Sequence, residues 1–309
     1  MTAQEKADSL YFTLFQSKNR DKDFLNLVLG TERKEREEIR RAYDRKYPQN
    51  NCVEDIKKKL SGDYRDVAVK LFQTRAEYDA ETLYNAFKGF SIDEDPIYEI
   101  VMGRPPQLLD EIKPLYEKKA GVTLEANIKK HFPNPLKKNL VTVLNTRRST
   151  NPNPDHDDCQ KKASKLAGTA PDAWLNDNEI INMLAKSSPE ELVLISRYYL
   201  RKTNIHIMKT VDGLSKSQKK YVNNILYNVV APPEMYANKM NEAIKGLGTD
   251  DPLLQRVIIT RYDIDMTLIK KYYRQNFKVT ARADVEGDTS GFYKDLLVGL
   301  LNKYDPNDY

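Results

Sequence analysis

Histidine and cysteine are scarce in this chain, three and two in 309 residues. The three histidines do not converge on a zinc-ligand spacing, and His156, within Asp155-His156-Asp157-Asp158, reads as part of a polar linker. Cys52 and Cys159 lie far apart with no metal-ligand spacing, which excludes a disulfide framework and fits a reduced thiol pair in a cytosolic chain. No apolar run reaches about 18 residues, so no transmembrane helix is expected. The start, Met1-Thr2-Ala3-Gln4-Glu5-Lys6-Ala7-Asp8, has no apolar signal core, and the expected compartment is the cytosol. Also missing are a nucleophile–base pairing, a phosphate loop and a dinucleotide fingerprint, so no enzyme is expected. Charge is nearly balanced, 50 basic against 45 acidic side chains. The net +5 favours anionic partners mildly without announcing nucleic acid, and no aromatic–basic stripe of an RNA-binding repeat appears. Lys57-Lys58-Lys59 and Lys137-Lys138 read as solvated helix faces.

What the chain does have is internal repetition. A shift of 157 residues lays Ala86-Phe87-Lys88-Gly89 on Ala243-Ile244-Lys245-Gly246, Asp93 on Asp250, Arg104 on Arg261, Ile112 on Ile269 and Tyr116 on Tyr273. A 73-residue shift brings in Phe24, Leu27, Ile39 and Tyr43; an 83-residue shift brings in Ile180, Met183, Ile195 and Tyr199. The shared apolar positions recur at helical spacing, so each unit of roughly 70 residues carries several amphipathic helices, about five. The clearest run over 37–47, 189–201 and 265–276, and Pro105-Pro106 opens the corresponding helix of the second unit. Ser149-Thr150-Asn151-Pro152-Asn153-Pro154-Asp155 has no apolar period and reads as a linker. The expected organisation is 7–75, 76–148, a linker at 149–158, 159–230 and 231–303. Helix is expected from near Ala7, with little chain outside the repeats.

The fourth unit carries Lys245-Gly246-Leu247-Gly248-Thr249-Asp250, with 38 residues between Thr249 and Asp288. Two glycines let a turn fold back so that backbone carbonyls converge, and a carboxylate returning from a second loop completes an all-oxygen, hard-cation site. The rival is a plain helix–helix turn with a solvated acid; the full spacing favours the metal. Thr249 is expected to cap the helix beginning at Asp250-Asp251-Pro252. This Gly-X-Gly-Thr-to-acid pattern inside a four-fold repeat resembles the annexins. So do its flanks Ile259-Thr260-Arg261 and Gly287-Asp288-Thr289-Ser290-Gly291-Phe292-Tyr293. The resemblance implies an all-α fold of four annexin-type repeats packed as one curved disc. It also implies Ca²⁺ held by the carbonyls of Ile244, Gly246 and Gly248 with the Asp288 carboxylate, and lipid contact around Leu247, Thr249 and Lys245.

The other three units depart from that pattern. The second has Lys88-Gly89-Phe90-Ser91-Ile92, with His131 at the acid position. The first has Phe15-Gln16-Ser17-Lys18-Asn19, with Lys58 or Lys59 there. The third has Asp172-Ala173-Trp174-Leu175-Asn176-Asp177, with Leu214 or Ser215 there. A lysine at a cation site is repulsive, although Asp93, Asp95, Asp172 or Asp177 offer makeshift ligands. Trp174 is either a core residue or, as the resemblance implies, an anchor that swings out to the lipid interface. Glu99 and Arg256 are equivalent positions; the resemblance places their units opposite each other around a polar channel, with an acid–arginine network as the main role and ion conduction the lesser one.

Four sites would gain by avidity, and one largely forfeits that gain. With one charged ligand, its solution affinity is expected at roughly 10⁻⁴ to 10⁻³ M. The expected function is Ca²⁺-dependent binding to anionic phospholipid through the fourth unit, at the inner face of the plasma membrane. The eroded sites and short tail are similar to the alpha-giardins, divergent protist annexins, which would imply the cytoskeleton or flagella. The alternative is a Ca²⁺-independent scaffold whose surfaces bind cytoskeletal proteins or sulfated glycans.

Overall fold

The computed structural model describes residues 1–214, 219, 222–223, 226–228, 230–246 and 248–307. Among these the chain is all-α, with no strand. It divides into two compact units, Met1–Arg75 with Pro233–Tyr309, and Ala76–Pro232.

The first unit contains the helices Ala3–Phe15, Arg20–Leu29, Arg33–Lys46, Cys52–Lys59 and Gly62–Leu71. From the C-terminal part come Pro232–Ile244, Asp251–Arg261, Met266–Phe277, Ala281–Asp288 and Gly291–Leu301. The opening helix starts at Ala3, earlier than the expected Ala7, because Thr2 and Glu5 form a reciprocal capping box. Gly291–Leu301 packs on Arg20–Leu29, Gly62–Leu71 and Asp251–Arg261, burying Leu296, Leu297, Leu300 and Leu301.

Three arginines tie this unit together. Arg36 is fully buried and donates to the carbonyls of Leu71 (3.1 Å), Val28 (3.3 Å) and Thr31 (2.5 Å), and to the Tyr262 hydroxyl. Arg33 clamps Asp263 through Nε (2.7 Å) and Nη2 (3.1 Å) and donates to the Ile259 carbonyl (2.7 Å), while Arg75 reaches Asp263 at 3.0 Å. Burial pushes the Asp263 carboxyl up, but the bond from Arg33 and the charges of Arg33 and Arg75 outweigh it and hold the group below its ordinary value.

The second unit contains Arg75–Lys88, Glu94–Gly103, Pro106–Ala120, Leu124–His131, Leu136–Asn145, His156–Ala167, Asn178–Lys186 and Pro189–Thr203. Short 3₁₀ turns stand at Pro171–Ala173 and Ile207–Gly213. Its core joins Ile97, Ile112 and Tyr116 to Ile180, Ile195 and Tyr199. Buried Arg104 and Asp79 pair through two bonds, 2.7 and 3.0 Å. The equivalent Arg261 instead takes Asp265, the residue just before Met266–Phe277, at 2.8 Å from Nε. The same arginine is therefore neutralised from different places in the two repeats.

The repeat shifts lay helix on helix and buried position on buried position. Leu124–His131 and Ala281–Asp288 lie 157 residues apart at both ends, and every shared apolar position but the partly exposed Leu27 is buried. One polar device recurs as well. Tyr43 donates to Asp55 (2.9 Å) and Tyr273 to Asp284 (2.7 Å), while the Tyr116 hydroxyl accepts from Asn127 (2.5 Å) and that of Tyr199 from Thr210 (3.1 Å). Each bond pins the repeat's third helix to the segment that follows it, satisfying a hydroxyl that burial would otherwise strand.

Candidate functional site

The glycine turn of the fourth repeat lies between Pro232–Ile244 and Asp251–Arg261. A helix leaves its last carbonyls without intrahelical partners, so the chain end at Ile244 presents oxygens outward. Gly248 adopts φ +85°, a left-handed conformation that a side chain would strain. A Cβ placed on Gly246 would stand 3.5 Å from the Gly248 oxygen, which measures how closely the turn folds back. The Asp250 amide closes its base by donating to the Ala243 carbonyl at 2.8 Å. The Asp93 amide does the same to Ala86 at 2.9 Å, so the second repeat builds the same frame.

Asp288, the last residue of its helix, returns to this turn. The Thr249 hydroxyl donates to its Oδ2 at 2.9 Å and lies 3.3 Å from its carbonyl. Thr249 thus does not cap the following helix. Asp250, one residue later, does so, its carboxylate accepting the Leu253 amide at 3.0 Å. A carboxylate at that position outcompetes the hydroxyl because a charged acceptor also complements the helix dipole.

Among the described residues Asp288 has no lysine or arginine partner, and its side chain is exposed. Lys245 instead pairs with Asp284 (3.1 Å), whose other oxygen takes Tyr273, so loop, helix and core tyrosine are linked in series. Leu247 lies outside the described residues. No three His, Cys, Asp or Glu side chains converge among the described residues. A cation here would depend on carbonyl oxygens plus one acid, and a folded-back glycine turn facing a carboxylate fits a hard, oxygen-seeking ion.

The other three turns are filled by different means. In the first repeat, Cys52–Lys59 ends on Lys59, which sets its ammonium 4.4 Å over the Phe15 ring. Arg20 then bridges the gap, donating to the Leu14 carbonyl (3.0 Å) and the Lys59 carbonyl (3.2 Å). By the two shifts, Leu14 is the counterpart of Ile244, so a guanidinium of the chain itself stands against the oxygen that would face an ion. Sequence reasoning missed Arg20, since its partners are backbone atoms; a basic residue just beyond a glycine-free loop was the available signal.

In the second repeat His131 ends its helix where Asp288 does, its ring 5.7 Å from that of Phe87. In the third, Asp177 caps Asn178–Lys186 through the Glu179 and Ile180 amides and pairs with Lys165 at 2.9 Å, which commits it away from a metal. Ser215 lies outside the described residues. Of the two readings, core residue or membrane anchor, the structure shows the buried arrangement for Trp174. It is 1% exposed, its indole N–H donates to Thr169 (2.9 Å) and Leu166 (3.3 Å), and it meets Tyr199 edge-on. Burial with a satisfied N–H is how a core tryptophan packs.

Glu99 and Arg256 are both buried, the former in Ala76–Pro232, the latter in the unit containing the glycine turn. Cys52 and Cys159 are buried free thiols.

A family profile described as Annexin matches residues 78–143 and 235–300, the two segments that the 157-residue shift superposes. Annexin A5 of Rattus norvegicus is 30% identical over 286 residues, covering 91% of this chain and 88% of its own. A calcium-bound annexin (Sm)1 structure superposes with a TM-score of 0.87 at 21% identity, covering 97% of this chain and 90% of that one. A calcium-bound alpha-14 giardin superposes at 0.76 with 18% identity, covering 96% and 98%. At those identities the two structures speak for the shared fold alone.

Proposed function

The chain belongs to the annexin family, and from that membership we propose that it binds anionic phospholipid through a single Ca²⁺ bridge in its fourth repeat. Annexins in general bind phospholipid in a calcium-dependent way. The observation that carries the finer reading is the Thr249–Asp288 contact, which directs an otherwise unpaired carboxylate at the folded-back glycine turn.

The carbonyls of Ile244, Gly246 and Gly248 and the Asp288 carboxylate would hold the ion. When bound, it would supply a Lewis-acidic centre able to take lipid phosphoryl oxygens as further ligands. The chain's own residues orient and neutralise. Gly248 keeps the turn's oxygens convergent, Thr249 fixes the carboxylate, and Asp284 draws Lys245 aside so that its ammonium does not compete for Asp288. This is binding, not catalysis. Such an annexin would act as a peripheral protein at the inner face of the plasma membrane; among the described residues no helix is long and apolar enough to cross it. Contacts with cytoskeletal proteins or sulfated glycans would then be secondary to the lipid bridge.

Co-sedimentation with phosphatidylserine vesicles, in Ca²⁺ and in EGTA, tests the proposal. Wild-type pelleting should rise with Ca²⁺, and Asp288→Ala should lower that increment roughly tenfold or more, equivalent to about 1.4 kcal/mol. Equal pelleting of wild type with and without Ca²⁺ would point to the scaffold reading. An unchanged Asp288→Ala increment would remove the ion from this turn.

A further inference from the structure

The second repeat keeps the loop but not the acid, and what it puts at the loop's tip is Phe90. This ring shows 113% of its reference area, more than any other large apolar side chain described. It occupies the position of Leu247 under the 157-residue shift. The loop beneath it is firmly built: the Asp93 amide bonds the Ala86 carbonyl at 2.9 Å, and a Cβ on Gly89 would come within 2.8 Å of the Ser91 oxygen. A tightly closed turn therefore holds an aromatic ring wholly in water. A lone exposed ring is ordinary on a protein surface, and it is the chemistry beside it that points to something covering it.

The charge around the tip indicates what. Lys88 precedes the turn, and the last turn of Leu124–His131 is Lys129-Lys130-His131, all exposed. His131 is tied to this loop through its contact with Phe87. Asp93, Glu94 and Asp95 follow the turn and keep their charge at the N-terminal end of Glu94–Gly103, where the helix dipole complements it. Asp93 accepts the Asp95 amide, Glu125 pairs with Lys129 at 2.5 Å, and Glu81 pairs with Lys119 at 2.8 Å. Lys88 and Lys130 have no ion pair among the described residues. An exposed aromatic tip with Lys88 before it and Lys130 and His131 on the neighbouring helix end matches the boundary of an anionic bilayer, where an apolar ring settles among the acyl chains while ammonium groups meet the phosphates.

We propose that Phe90, with Lys88, Lys130 and His131, forms a metal-independent contact with anionic lipid. The second repeat has thus exchanged an ion bridge for an aromatic–cationic one. This rests on the membrane-binding reading above but not on its metal site, so the two can fail separately.

The test is equilibrium binding of the full chain to phosphatidylserine–phosphatidylcholine vesicles in EGTA. Wild type should retain measurable binding, and Phe90→Ser should weaken it about tenfold while leaving the Ca²⁺-dependent increment intact; Asp288→Ala should do the reverse. Because Phe90 packs against nothing, the serine variant should keep the wild-type unfolding midpoint. In a Phe90→Trp variant, indole emission should shift to the blue on vesicle addition, over a constant background from buried Trp174. Wild type that does not bind in EGTA, a serine variant that binds equally well, or an emission spectrum unmoved by vesicles would each overturn the proposal. So would a change in sedimentation of the lipid-free chain on Phe90→Ser, which would make the ring a self-association contact.

Discussion

Arg20 sets a guanidinium of the chain itself against the first repeat's counterpart of a proposed ion ligand. Its guanidinium joins the Leu14 and Lys59 carbonyls, tying the end of the first helix to the end of the fourth. Arg20→Ala should lower stability by about 1–2 kcal/mol, the worth of two charge-assisted bonds partly open to water. That loss would read as a lower urea midpoint. It should not create a new ion site, because Lys59 still occupies the acid position; titration should count the same number of Ca²⁺ ions in variant and wild type. The residue scale was also where sequence reasoning was least secure. Thr249 and Asp250 are adjacent potential caps, and which of them bonds the helix depends on where Asp288 arrives. Trp174 lies in a loop by sequence, yet Leu166 and Thr169 offer its N–H two carbonyls inside the core.

At the scale of elements, the third helices and the turns before them hold the repeats in place through buried polar bonds. Asp263 serves two arginines at once, so Asp263→Ala would leave Arg33 and Arg75 without their shared anion, at a cost of about 3 kcal/mol. Thermal or urea unfolding would register it. The pH dependence follows from the depressed carboxyl. A group held below its unfolded value binds fewer protons when folded, so its contribution is complete above the unfolded carboxylate range and is lost as pH falls through the folded value. The wild type should therefore lose stability on acidification through that window, and the alanine variant should show a flatter acid limb. A wild-type curve flat to the same pH would contradict the clamp. Helix boundaries were legible to within a few residues where proline or capping residues mark them, as at Pro106 and Pro189. The opening helix was not, because the capping box at Thr2 and Glu5 lies in a stretch too polar to show an apolar period.

For the whole molecule, the proposed single ion bridge sets the expected response to Ca²⁺. In the proposed bridge, ion and anionic lipid would share a coordination shell, so each should raise the other's affinity by the same factor. Half-maximal Ca²⁺ should fall as the phosphatidylserine fraction of the vesicles rises, and vesicle affinity should climb in step with Ca²⁺. Independent binding, with the Ca²⁺ midpoint unmoved by lipid, would contradict a shared shell. The metal-independent component proposed above should weaken with added salt, since ions screen the attraction of exposed lysines for lipid phosphates over a Debye length of about 8 Å at physiological ionic strength.

The all-helical repeat and the pairing of Gly246–Gly248 with Asp288 followed from the sequence by itself, since periodicity and spacing are properties of the chain and survive any local detail. What occupies the other turns was decided only by tertiary structure. Arg20 reaches backbone oxygens that no residue name marks, Trp174 turns inward because carbonyls there satisfy its N–H, and Phe90 stays outside because no neighbour covers it. A side chain's role depends on which unsatisfied groups lie within its reach, and distant segments meet those groups only after folding.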